Sequence, residues 1–372
     1  MNRRNFITAS ATLCAGATLA NTLTTMEAKP TRKHSLKKLI TVEEHFTIKS
    51  ISGKVMQYLT KMNGGVPPVS QTQRDLMKIV LPDDAIEDVG ARRLAYMDKA
   101  GISTQVLSYG AGSPQNIADV GLATELCREA NETLAKMITL HPTRFAGFAL
   151  LPVANAEKAA EELTYSVRQL GLKGAMISGT YNGTFFDEPQ FLPLFAKAQE
   201  LGVPIFMHPA IIQKQVTDYY FNSSQWSAVA GAMFATAGFG WHADAGIALI
   251  RMIISGLFDK LPQLQIISGH WGELVPFYLN RLDDQLQKTI NIQHKISDYF
   301  KKNIYISPSG FFDINQLIYA VNEIGAERIL YACDYPFLID ENAKLFLEEA
   351  PLSISDKKKI AYENVEKLLQ IK

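Results

Sequence analysis

Eight short apolar runs, separated by longer stretches of helical pattern, limit what this chain can fold into more than any other feature. They are LITVEEHF (39–46), STQVLSY (103–109), FAGFALL (145–151), LKGAMISG (172–179), VPIFMHP (203–209), LQIISGH (264–270), NIYISP (303–308) and RILYACD (328–334). Runs that are nearly continuously apolar read as parallel β-strands covered on both faces, and parallel neighbours need a crossover, usually a helix. The segments Ala91–Ala100, Val120–Thr139, Ala156–Leu170, Pro189–Leu201, Ala243–Ser255 and Gln316–Glu323 supply candidate helices, with Gly or Pro at many joins (LGLKG, LGVP, KLPQLQ). Eight β–α units predict a (β/α)8 TIM barrel, a single α/β domain over residues 36–372. Strand counting does not prove closure, so an open doubly wound sheet is the alternative. With 47% hydrophobic residues in 372, the chain can bury a core of that size. Two stretches break the rhythm. Residues 49–90 and 210–242 are expected as long loops after strands 1 and 5, the second rich in Tyr, Phe and Trp.

Catalytic groups of such a barrel lie at the C-terminal ends of its strands. The first run ends in TVEEHF, where alternation puts Glu43 and His45 on one face and Glu44 on the other. A carboxylate and an imidazole side by side can hold a divalent metal, although a strand running out into solvent also ends in charge. The fifth run ends in His208, the sixth in His270 and the eighth in Asp334. A barrel would gather all of these into one cluster, which is more specific than any member alone. Of the other histidines, His34, His141 and His294 read as surface or capping residues, and His242, in GFGWHAD, as a residue lining the site from the long loop. His270 and Glu273 stand three apart, so a hydrogen bond between them would fix the imidazole tautomer. Arg281 either pairs with Glu273 or makes a surface salt bridge. Phe46, Phe337 and the aromatic residues of 210–242 are candidate walls for an apolar pocket.

Charge and cysteine usage narrow the function further. Lys plus Arg and Asp plus Glu both number 37, a balance that argues against nucleic acid as a partner. Three scattered cysteines, Cys14, Cys127 and Cys333, with no CxxC, suggest neither a disulfide framework nor a thiolate zinc site. No GK[ST] follows the glycine-bearing GAGSP and GTYNGT segments, so no nucleotide is assigned. Residues 1–28 read as an export signal: MNRRNF followed by a weakly apolar Ala/Thr/Leu run resembles a twin-arginine leader, cut after Ala20 or Ala28. That run is too polar and too short for a membrane span. Periplasmic export is the expectation, a cytoplasmic protein the alternative.

Glu43-x-His45, His208 in FMHP, His270 in SGHWGE and Asp334 in ACDYPF together resemble the metal-dependent amidohydrolase superfamily, and most closely its decarboxylase branch of ortho-hydroxybenzoate decarboxylases. The resemblance runs from about Ile40 to Leu369, through RLAYMDKAGI, PTRFAGFALLP, GLKGAMISGTYNGTFFDEPQFLPLF, SGLFDKLPQLQIISGHWGELVPFYLNRLD and ENVEKLL. It implies one Zn2+ or Mn2+ held by Glu43, His45, His208 and Asp334, with Asp334 protonating the ring carbon of a small aromatic acid. Hydrolytic members usually carry histidine where this chain has Glu43, and two-metal members a lysine at the end of strand 4, where LKGAMISG has none. The expected activity is therefore non-oxidative decarboxylation. The alternatives are a single-metal lactonase or amidohydrolase using metal-activated water, and a barrel that binds without catalysis. The resemblance also implies a homodimer or homotetramer. SYGAGSPQ after the second strand and Asp244-Ala245 after the fifth depart from the family pattern, and these segments shape the substrate pocket.

Overall fold

The computed structural model describes residues 35–81 and 84–371; the leader read over residues 1–28, Cys14 and His34 lie outside them. The described residues form seven strands: β1 (Ile40–Phe46), β2 (Thr104–Tyr109), β3 (Phe145–Gly147), β4 (Ala175–Ser178), β5 (Ile205–His208), β6 (Ile266–Ser268) and β7 (Ile304–Ile306). All the ladders are parallel, β1-β2-β3 in one group and β4-β5-β6-β7 in the other.

Single parallel bridges join the two groups into a ring. Ala149 pairs with Ala175, linking the end of β3 to β4. The eighth run pairs with β7 at Ile329 and with β1 at Tyr331, and Tyr335, just past its end, pairs with Glu44 of β1. Backbone bonds confirm the closure: Leu330 N donates to Ile306 O at 2.8 Å, and Val42 N to Tyr331 O at 3.0 Å. The sheet is thus a closed eight-membered barrel, and the open-sheet alternative is excluded.

Ile40, Val42, Val106, Ala146, Phe148, Met176, Phe206, Ile267, Tyr305, Leu330 and Ala332 fill the barrel, joined by Val365 and Leu369 of the C-terminal helix Asn364–Leu369. Asn364 ties that helix to the starting end of the eighth strand through the carbonyls of Ala326 and Ile329. A larger apolar layer packs the helices on the outside. Among these, α3 (Ala91–Ala100), α4 (Val120–Leu140), α5 (Ala156–Arg168) and α6 (Leu192–Leu201) fall where the pattern places them, α4 and α5 being capped by Asp119 and Asn155.

Both breaks in the rhythm are helical rather than irregular. Residues 49–90 contain α1 (Lys49–Met62) and α2 (Gln71–Val80); 210–242 contain α7 (Lys214–Tyr220), α8 (Ala228–Ala235) and the start of α9 (Gly240–Ile254). Their apolar stripes are too narrow to read: α1 buries only Ile51 and Val55, and α2 only Leu76. One local signal was legible. Ser70 and Gln73 form a reciprocal capping box, Ser70 Oγ accepting from Gln73 N and Ser70 N donating to Gln73 Oε1. α2 packs against α8, so the two excursions meet.

Candidate metal centre and active site

The ladder between β1 and β2 contains one irregularity, and the site depends on it. Thr41 pairs with Gln105 and Glu44 with Leu107, so β1 spends three residues where β2 spends two. This β-bulge allows Val42 to fill the barrel while Glu43 and His45, next along, also face the axis. Simple alternation put Glu43 with His45 correctly but could not place Val42 inside with them.

Glu43, His45, His208 and Asp334 converge so that one ligand atom from each lies within 4.8 Å of all the others. His45 Nε2 is 3.1 Å from Asp334 Oδ1, and His208 Nε2 is 3.3 Å from Glu43 Oε1. Neither approach is directed as a hydrogen bond: Glu43 Oε1, both ring nitrogens of His45 and Asp334 Oδ1 are buried without a partner. Buried polar atoms are normally satisfied. Unpartnered atoms of three side chains, Glu43, His45 and Asp334, beside the bare Nε2 of His208, are what a divalent cation would satisfy, so the donor set fits a metal of oxygen and nitrogen ligation. Burial holds His45 neutral, its pKa pushed down to about 3, which keeps its lone pair available. His208 Nδ1 donates to Pro209 O at 2.6 Å, which turns bare Nε2 toward Glu43. Burial pushes Glu43 up to about 8 and Asp334 up to about 7, although nearby His270 pulls both down.

A second cluster adjoins the first. β6 stops at Ser268, and residues 270–274 form a left-handed turn, with φ of 48° at His270, 58° at Trp271, 76° at Gly272, 55° at Glu273 and 68° at Leu274. Left-handed backbone costs roughly 1–2 kcal/mol per non-glycine residue, so the turn must be held from outside. Trp271 N donates to Ser307 O, Gly272 N to Gly269 O and Trp271 Nε1 to Phe311 O. The turn puts His270 Nδ1 2.7 Å from Glu273 Oε1, the pairing that the spacing predicted. His270 Nε2 faces Glu43 Oε1 at 3.8 Å. Burial also pushes Glu273 up, to about 7. His242 reaches the same carboxylate, Nδ1 to Oε2 at 2.8 Å. In contrast to the first cluster, both oxygens of Glu273 are hydrogen-bonded, one to each imidazole, while His270 Nε2 is left facing the first cluster.

Two expected site residues are placed elsewhere. Phe46 stands on the opposite face of β1 from His45 and packs into the outer layer against Tyr109, ring centroids 5.4 Å apart, so it is not a pocket wall. Arg281 is exposed on the helix Val275–Gln285, while both oxygens of Glu273 are taken by imidazoles, so the two do not pair. Phe337 does reach the site, its ring 5.4 Å from that of His45. Most aromatic side chains of 210–242 turn to solvent, with Tyr219 82% exposed. Phe311, which no motif marked, lies 5.3 Å from His270 and 5.6 Å from His242.

Four further residues support the site from buried positions. Ser309 accepts from His270 N at 3.0 Å and donates to Glu43 Oε2, tying β1 to the turn. Glu44, which faces away from the axis, is fully buried and accepts from Cys333 N at 2.9 Å and Tyr335 N at 3.3 Å, the residues on either side of Asp334. Gln105 Nε2 also donates to Glu44, and its Oε1 accepts from buried Arg93, whose guanidinium lies over the Tyr335 ring at 4.6 Å. Asp334 itself has φ 60°, and its N donates to Glu43 O. The doubled acid in TVEEHF was the available signal: one carboxylate serves the centre and the other fixes the backbone of the ligand opposite.

Comparison with known proteins agrees with this geometry. Residues 68–371 match the amidohydrolase family model. A γ-resorcylate decarboxylase of Polaromonas sp. strain JS666 is 36% identical over 295 residues, covering 76% of this chain and 88% of that protein. The crystal structure of a dihydroxybenzoic acid decarboxylase from the same organism, with bound manganese and the inhibitor 2-nitroresorcinol, superposes with TM-score 0.75 at 33% identity, covering 90% of this chain and 97% of that one. That of 5-carboxyvanillate decarboxylase from Sphingomonas paucimobilis has TM-score 0.80 at 29% identity, covering 90% and 99%.

Proposed function

Since this chain belongs to the amidohydrolase family, where its relatives are metal-dependent carboxy-lyases, we propose that it decarboxylates a small ortho-hydroxybenzoate-like acid without oxidation. The observation that carries the reading is the convergence of Glu43, His45, His208 and Asp334, with buried ligand atoms of Glu43, His45 and Asp334 left open. These four residues would hold one divalent ion. Zinc and manganese both suit the donor set, and manganese is the ion in the Polaromonas structure. When bound, the ion supplies a Lewis acid for the phenolate and carboxylate oxygens of the substrate.

The protein's own groups do the rest. Asp334 donates a proton to the ring carbon bearing the carboxylate, the carbon–carbon bond to that carboxylate breaks, and its electron pair restores the aromatic ring as carbon dioxide leaves. A proton from water returns Asp334 to its starting state. Glu273 fixes His270 with its proton on Nδ1 and its Nε2 facing the centre. Phe337 and Phe311 give the aromatic ring apolar edges to pack against. Hydrolysis of a lactone or amide on this barrel is the weaker reading, because the relatives are decarboxylases.

The test is carbon dioxide release across a panel of ortho-hydroxybenzoates by protein lacking residues 1–28 and loaded with zinc or manganese, with metal-stripped protein as control. Release that depends on metal supports the proposal. No release from any acid, with stoichiometric metal bound, overturns it and favours hydrolysis. Export through the leader and assembly as a dimer or tetramer belong to the same proposal, checked by periplasmic fractionation and light scattering. No helix among the described residues is long and apolar enough to cross a membrane.

A further inference from the structure

His242 comes from the end of the long excursion after β5, in the first turn of α9, yet its side chain is buried against the turn that follows β6. Its tautomer can be read from its neighbours. Trp241 Nε1 carries a hydrogen and can only donate, and it lies 3.1 Å from His242 Nε2. Nε2 therefore accepts, the proton of His242 sits on Nδ1, and Nδ1 donates to Glu273 Oε2 at 2.8 Å. Ala237 O, 3.3 Å from Nε2, is the longer contact and receives no proton in this arrangement. Glu273 Oε1 meanwhile accepts from His270 Nδ1. One fully buried carboxylate is thus fixed at both oxygens, one of them by the imidazole that faces the metal cluster.

The same helix meets the turn at a second point. A β-carbon at Gly246 would lie 2.3 Å from Glu273 O, so α9 is seated directly on the backbone of the left-handed turn. Without His242, Glu273 Oε2 would be buried with no donor. The carboxylate could then rotate, and His270 would lose the partner that sets its ring.

We propose that His242 is a positioning residue for the reaction: by holding Glu273 through Nδ1–H it keeps His270 in one tautomer and one orientation toward the substrate. The inference rests on the decarboxylase reading for its kinetic consequence but not for its structural one, so the two can fail separately.

The experiment compares wild type, His242→Ala and His242→Asn, the last because its side-chain amide can donate from nearly the place of Nδ1. Histidine-selective 15N NMR on the zinc-loaded protein, which is diamagnetic, reads the tautomer of His270, and steady-state kinetics reads kcat and KM. Loss of a group that orients a catalytic residue predicts a fall in kcat of about 10- to 100-fold in His242→Ala, with KM within about twofold and metal content unchanged. The His270 signals should change from one tautomer to a mixture. His242→Asn should recover most of kcat and the single tautomer. A wild-type His270 spectrum in His242→Ala, or an Asn variant as impaired as Ala in both readouts, overturns the proposal. If His242→Ala does not fold, His242→Phe, which keeps a ring in place and removes the donor, is used instead; a single, unchanged His270 tautomer in that variant overturns the proposal. If wild type turns over no acid, the decarboxylase reading fails while the NMR still decides the role of His242.

Discussion

Glu44 and Asp334 show how differently two carboxylates can be used within one cluster. Glu44 accepts two backbone N–H groups and one amide, all buried, and those bonds fix the chain on both sides of Asp334. Glu44→Gln would place an NH2 where a carboxylate oxygen accepts, leaving donors facing a donor. A loss of about 1–3 kcal/mol in stability is expected, measured by the urea midpoint, with weaker metal retention on dialysis as its functional consequence. Asp334 has an oxygen with no protein partner. Asp334→Asn should therefore leave the thermal midpoint of the metal-free protein nearly unchanged while lowering decarboxylation by about 10²–10⁴-fold, the worth of a general acid. Unaltered turnover in that variant would remove Asp334 from the chemistry.

The junction between β1, β6 and the left-handed turn sets the geometry at the scale of elements. Gly269 lies between them because a β-carbon there would stand 2.6 Å from Glu43 Oε2 and 2.8 Å from Ser309 Oγ. Its own φ of −74° is open to any residue, so the requirement is space rather than backbone freedom. In Gly269→Ala the methyl group must push Glu43 aside. The expected result is a folded barrel, by circular dichroism, that binds less than stoichiometric metal by elemental analysis. Full metal occupancy would show that Glu43 is not needed where the structure puts it. The helices α1 and α2 show the opposite limit, since so few of their residues are buried that changes on their outer faces should have little effect.

For the whole molecule, the metal centre couples stability to pH. In metal-free protein burial raises Glu43 from 4.5 to about 8 and Asp334 from 3.8 to about 7. The folded state then holds protons that the unfolded chain has released, so the stability from these groups is complete below their unfolded values and is lost as pH rises through 7 and 8. His45 shifts the other way, from 6.5 to about 3, and its contribution changes only as pH falls below 6.5. Between pH 6.5 and 8 the carboxyls dominate, and the metal-free midpoint should fall. In the absence of substrate, metal binding favours the ionised form of both carboxylates, so bound metal offsets this loss. The gap in thermal midpoint between loaded and metal-free protein should widen from pH 6.5 to 8 in calorimetry. A constant gap would mean that the two acids are not the ligands.

What the amino-acid sequence determined by itself was whatever is written in local periodicity and strand-end chemistry. Eight apolar runs gave the barrel, and polar residues at their ends gave Glu43, His45, His208, His270 and Asp334, because strand alternation and the one active end of such a barrel are local rules. Spacing gave the His270–Glu273 bond. Tertiary structure alone decided what depends on contacts between distant segments. Closure required the eighth run to pair with β1, a choice invisible in either run. The bulge in β1 that turns Val42 and Glu43 both inward exists only against the register of β2. The exposure of Arg281 follows from where its helix leaves the turn. The roles of Glu44, Ser309 and His242 arise where β1, β7, the eighth strand and α9 converge, and a hydrogen bond between residues hundreds of positions apart, such as Glu44 to Cys333, leaves no pattern along the chain.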